Sequence, residues 1–189
     1  MISTLTAPRS LAYALMALIL SALSLSPQVA DARSPAKALK GRIILSTTPF
    51  PTRFKSDAAF IKHMKKVDTK AFNLEAGKPV DIELMAFFAK PIKATELTAT
   101  VYDVTEEPQE MATTFPIYLQ GRKAEQIVAS NFRLDDQSFK LERRYLLVIS
   151  TGYRGKILAQ TKFSIKATAA QRQQMKAEEA KAKAAMDME

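Results

Sequence analysis

The sequence predicts an all-β fold: an antiparallel β-sandwich of about seven strands, with a short inserted basic helix and a C-terminal tail that is helical or disordered. Three observations carry this. From Val80 onward apolar and polar residues alternate with a period of two, the signature of a half-buried strand. Between Val80 and Ile165 short apolar stretches are separated by turn residues and polar loops with little helical pattern among them, which disfavours parallel strand-helix-strand units. The chain also has no cysteine, so packing and hydrogen bonds must hold the domain without disulfides, and thiol catalysis and thiolate metal sites are excluded.

The N-terminal stretch has a different character. Arg9 opens a short basic region, Leu11 to Leu25 is an uncharged apolar run, and Ala30-Asp31-Ala32 supplies the small-x-small pattern of a cleavage site. Residues 1–32 are therefore expected to be a secretory signal peptide, with cleavage after Ala32 that gives a periplasmic or secreted product beginning at Arg33. The run is shorter than the roughly 20 apolar residues that span a bilayer. Beyond it remain 157 residues, enough for one domain with a real core.

Residues 33–40, with Pro35 and alternating Ala and Lys, read as a flexible leader, and order is expected from Gly41. Ile43, Ile44 and Leu45 form a first strand stopped by Thr47-Thr48-Pro49-Phe50-Pro51, whose prolines favour an edge position. A helix is predicted within residues 56–70. Ser56 caps it, Asp57 sits in its first turn, and Phe60, Met64, Val67 and Ala71 recur at helical spacing, with Lys62, Lys65, Lys66 and Lys70 on the remaining surface.

In the next strand Val80, Ile82, Leu84, Ala86 and Phe88 alternate with Asp81, Glu83, Met85 and Phe87. One face is buried throughout and the other only toward its end, so Phe87 is expected to lean outward or under the helix. Leu97 to Tyr102, Thr114 to Leu119, Ile127 to Leu134, Tyr145 to Thr151 and Ile157 to Ile165 follow as strands, with turns at Gly121, Asp135-Asp136 and Tyr153-Arg154-Gly155. From Ala167 the chain is rich in Ala, Gln, Lys, Glu and Met without Pro or Gly; these are good helix formers that bury little area.

This strand spacing, and the Tyr145-Leu146-Leu147-Val148-Ile149 strand with its hairpin into Ala159-Gln160-Thr161-Lys162-Phe163, resembles an immunoglobulin-like exported domain over residues 41–166, without the Cys, Trp, Cys core signature. The resemblance implies an adhesion, assembly or recognition module.

Charge locates the candidate surface. Residues 33–78 carry eleven Lys or Arg against three acids, whereas residues 79–165 carry eleven of each. Such an electropositive end attracts anionic partners. The expected binding surface comprises Arg53, Phe54, Lys55, Lys62, Lys65, Lys66 and Lys70, with Tyr118 and Tyr153 as exposed rings. No catalytic residue, cofactor or metal ligand is assigned. His63, the single histidine, has Ala59 and Val67 at four-residue steps and so no carboxylate on its own helix, and no nucleophile-elbow, HExxH, phosphate-loop or dinucleotide pattern occurs. The leading expectation is a non-catalytic exported interaction module docking on an envelope protein. A basic helix that binds an anionic lipid surface or glycan is the alternative, and a hydrolase using paired carboxylates among Asp81, Glu83, Glu106, Glu107, Glu110, Asp135 and Asp136 is a further one. Nucleic acid is not an expected partner.

Overall fold

The computed structural model describes residues 34–119, 124–152 and 155–186. Residues 1–33, Gly121, Tyr153 and Arg154 lie outside them, and with them the segment expected to direct export and its expected cleavage site. The described residues form one compact unit.

Among the described residues, two sheets and three helices make up a mixed domain. In chain order the elements are α1 (Pro35–Ala38), β1 (Ile43–Ser46), α2 (Asp57–Val67), β2 (Ala71–Asn73), β3 (Val80–Ile92), β4 (Glu96–Asp103), β5 (Glu110–Tyr118), β6 (Glu125–Leu134), β7 (Arg144–Ser150), β8 (Ile157–Lys166) and α3 (Ala169–Met186). One sheet has three strands in the order β1-β3-β6, and the other has five in the order β2-β8-β7-β4-β5. All pairings are antiparallel except β2 with β8, where Phe72 lies opposite Ile165.

The alternation in β3 decides how the three-stranded sheet is used. Ile82, Leu84, Ala86 and Phe88 enter a core shared with the other sheet, where Leu97, Ala99 and Val101 of β4 and Leu147 and Ile149 of β7 meet them. Met85 and Phe87 face the opposite way and, with Ile44, are covered by α2 through Met64 and by Leu39. Phe60, Ile61 and Val67 pack around this second cluster, as do Phe50 and Phe54. The helix thus covers the end of the sheet where the outward residues turn apolar. Asp81 and Glu83, toward the other end, keep their outward polar character, and Arg133 pairs with Asp81 at 2.8 Å.

Three expectations need correction. The fold is not all-β in the strict sense, and the described residues form eight strands where about seven were expected: the additional strand β2 is three residues long and sets Phe72 into the core. Residues 34–39 are not a free leader. Pro35 occupies the first turn of α1, Ala36 is buried and Leu39 is fully buried beneath α2, because the outward apolar patch of β3 is wider than α2 alone covers. The inserted helix ends at Val67, so Lys70 and Ala71 are not on it. The tail is helical from Ala169 to Met186.

A buried ring cluster fixes the lower part of the core. Tyr145, at the start of β7, stacks on Phe163 at 5.5 Å and meets Phe139 edge-on at 5.2 Å. Its hydroxyl accepts the Lys140 amide hydrogen at 2.7 Å and donates to the Lys140 carbonyl at 3.3 Å. The ring therefore anchors the sheet while its polar tip ties down the turn that precedes β7.

Candidate interaction surfaces

Helix α2 is built at both ends for its charge. The Ser56 hydroxyl accepts the Ala59 amide hydrogen at 3.2 Å, Asp57 lies in the positive first turn, and Lys65 and Lys66 lie in the negative last turn. Met64, Phe60 and Val67 are directed to the sheet, leaving Lys62, Lys65 and Lys66 exposed, with Arg53 and Lys55 exposed in the preceding loop. Lys37, Lys40 and Arg42 are exposed on and just after α1, which packs against α2. None of these eight cations takes part in an ion pair among the described residues.

The other expected surface residues have different roles. Phe54 is half-buried, with its ring 5.0 Å from Phe60 and 5.3 Å from His63, so it belongs to the satellite core. His63 is itself half-buried against that ring. Lys70 is pinned: its ammonium lies 2.8 Å from Asp68, donates to Thr161 Oγ1 at 2.6 Å, and reaches the Ile43 carbonyl at 3.3 Å. It bridges β1 of one sheet and β8 of the other, and Asp68 also accepts the Leu45 amide hydrogen at 3.3 Å. Tyr118 is 74% exposed at the end of β5, an outer strand of the five-stranded sheet, and is not on the sheet that carries the lysines. Tyr153 lies outside the described residues.

Of the carboxylates considered for hydrolysis, Glu106, Glu107 and Glu110 line one open pocket of about 310 Å³ together with Asp103, Lys140 and Arg143, whereas the others are not among its lining residues and several have partners of their own. Asp135 accepts the Gln137 and Ser138 amide hydrogens, Asp136 accepts that of Gly77, and Glu106 pairs with Arg143 at 2.6 Å. Among the described residues no three His, Asp or Glu side chains gather as a metal site would require.

The root of α3 is a built feature that the surface inventory lacked. Thr168 and Gln171 form a reciprocal cap: Gln171 Oε1 accepts the Thr168 amide hydrogen at 2.8 Å, and Thr168 Oγ1 accepts that of Gln171 at 3.3 Å. The Thr-x-x-Gln spacing is a sequence signature of a helix start. Just before it, fully buried Ala167 donates its amide hydrogen to Glu142 Oε1 at 2.9 Å and accepts from Arg172 Nε at 3.1 Å. Glu142 sits at a φ of 55°, a region uncommon for a residue with a side chain. Beyond Gln171 the described side chains of α3 are exposed. Beside the root, Leu74, Phe139, Leu141 and Met175 line an open groove of about 520 Å³.

The Ala167 amide, with help from the Lys166 and Arg172 charges, holds the Glu142 carboxyl below its ordinary value. A lowered folded pKa means that this stabilisation is full above the ordinary carboxylate range and is lost as pH falls through the folded value. Glu142→Ala is therefore expected to speed amide exchange at Ala167 and the first turn of α3 by about tenfold. Glu142→Gln, which keeps an acceptor, should slow exchange again but lose the acid dependence. Exchange unchanged in Glu142→Ala would show that the clamp does not hold the helix.

No family description matches the chain, and no characterised protein matches it in sequence. Among solved structures it is similar to a superoxide reductase (neelaredoxin) variant from Ignicoccus hospitalis, at 14% identity and a TM-score of 0.38, over 70% of this chain and 85% of that one. It is also similar to a beta-glucosidase from Listeria innocua in complex with glucose, at 17% identity and a TM-score of 0.32, over 52% of this chain and 15% of that one. A GH3 beta-glucosidase from Bifidobacterium adolescentis gives 15% identity and a TM-score of 0.30, over 49% of this chain and 16% of that one. The chain spans less than a fifth of the length of either glucosidase. Among the described residues no helix is long and apolar enough to cross a membrane.

Proposed function

We propose that this chain is an exported, non-catalytic assembly module that docks on another envelope protein through its C-terminal helix. The observation that carries the reading is the contrast within α3. Isolated helices gain most of their stability from packing an apolar face, yet α3 is capped, clamped and aimed at its first turn while the side chains beyond that turn lie open. A rooted helix of this kind is a presented ligand, and the groove beside Met175 gives a partner an apolar seat next to it.

The core supports the architectural half of the proposal. Assigning β1, β3, β4, β6, β7 and β8 to strands A, B, C, E, F and G of an immunoglobulin-like sandwich puts A, B and E in one sheet and C, F and G in the other, with β5 beside C as C′. Tyr145, at the start of the F position with its hydroxyl returned to the backbone of Lys140, corresponds to the tyrosine corner of such domains. Export to the periplasm or beyond rests on the Ala30-Asp31-Ala32 site and the apolar run before it.

Crosslinked affinity capture from an envelope extract tests the docking, with the chain and with a form ending at Thr168. The expected result is a specific partner held by the longer form and lost by the shorter. Recovery of no specific partner by either form, or of the same partner equally by both, overturns it.

A further inference from the structure

We propose that the basic layer of α1, α2 and their connecting loop is a membrane-facing surface that rests on anionic phospholipid headgroups. This goes beyond docking through α3 and uses a different part of the molecule.

Two observations converge on it. The first is uncompensated charge: Lys37, Lys40, Arg53, Lys62, Lys65 and Lys66 are exposed in one layer outside the three-stranded sheet and make no ion pair among the described residues. Of the acids in that layer, Asp57 is spent at the helix N-terminus and Asp68 on Lys70. Mutual repulsion of these cations opposes folding, and a negatively charged plane outside the protein relieves it.

The second is the chemistry the layer offers. The apolar side of α2 is committed to Met85, Phe87 and Ile44, so the helix has no free hydrophobic face to bury among acyl chains. It presents ammonium groups on flexible stems. Lysine is a compact point charge without the fixed fork with which arginine grips a rigid carboxylate, and it suits a fluid array of phosphates better than a protein surface with acids at set positions. Docking is therefore expected at headgroup depth, driven by charge and weakened by salt.

The test is flotation of residues 33–189, which carry the whole described core, with phosphatidylcholine vesicles and with vesicles in which a third of the lipid is phosphatidylglycerol. Binding is expected only to the anionic vesicles, and is expected to fall steeply from about 0.05 M to about 0.5 M salt. The combined variant Lys62→Gln, Lys65→Gln, Lys66→Gln should bind about 100-fold more weakly, with an unfolding midpoint no lower than that of the unchanged chain. The corresponding three Lys→Arg changes should retain binding. The form ending at Thr168 should also float as the longer chain does, which separates this proposal from the docking of α3. Equal binding to both vesicle types, or equal binding of the glutamine variant to anionic vesicles, overturns it. So does tight capture of soluble heparin without flotation, which assigns the layer to an anionic polymer.

Discussion

Replacing Met64 by aspartate is expected to destabilise the domain by about 2–5 kcal/mol. Met64 is fully buried, in the cluster with Leu39, Ile44, Met85 and Phe87. The substitution removes its contacts with the sheet and sets a charge with no described cation facing it among apolar groups. Lys66→Glu, two positions away on the exposed side of α2, is expected to change stability by less than about 0.5 kcal/mol. Urea denaturation of the two variants checks both. A Met64→Asp midpoint equal to that of the unchanged chain would mean that α2 does not depend on the sheet, and its apolar face would then be available to other surfaces.

The second large effect is at Tyr145. Tyr145→Ala empties the space between Phe139 and Phe163 and is expected to cost about 3–5 kcal/mol. Tyr145→Phe keeps the ring but leaves the Lys140 amide hydrogen without its acceptor, at about 1–3 kcal/mol. The pair separates ring packing from the turn tether, and equal losses in the two variants would mean that the ring contributes nothing. Burial pushes the Tyr145 phenol above its ordinary value, against the hydrogen bond from Lys140 that acts the other way. With the folded pKa raised, the stabilisation is full below the ordinary phenol value of about 10 and is lost as pH rises through the folded one. Denaturation midpoints followed into alkali should fall in the unchanged chain and lose that part of their slope in Tyr145→Phe.

What could be read in the sequence was local periodicity. The outward residues of β3 change from Asp81 and Glu83 to Met85 and Phe87, and this alone announces that something apolar covers one end of the strand. The spacing of Phe60, Met64 and Val67 behind the Ser56 cap supplies the cover. Elements whose reason for existing is a distant partner were not legible. Residues 71–73 carry no pattern of their own, and they are a strand because Ile165 and its neighbours lie alongside. Pro35-Ala36-Lys37-Ala38 reads as a polar leader until the uncovered patch that Leu39 fills is known. Lys70 looked like one more surface lysine, although Asp68 stands two residues before it. Its other partners, Ile43 and Thr161, come from strands of different sheets. The Thr168 and Gln171 cap was open to sequence reasoning, but Glu142, which clamps the residue before it, lies 25 positions away from Ala167.

The position of β8 has a mechanical consequence. Strand β8 is held on both sides, by β7 and β2, and continues through Ala167 into α3. Tension on α3 directed along β8 loads both ladders in shear, so several hydrogen bonds must yield together before the strand slides. Tension applied across β5, which has a single neighbour, β4, opens its ladder from one end, one bond at a time. A load hung from the C-terminal helix is thus borne by a strand hydrogen-bonded along both of its sides near that end, whereas one applied across β5 meets a single ladder.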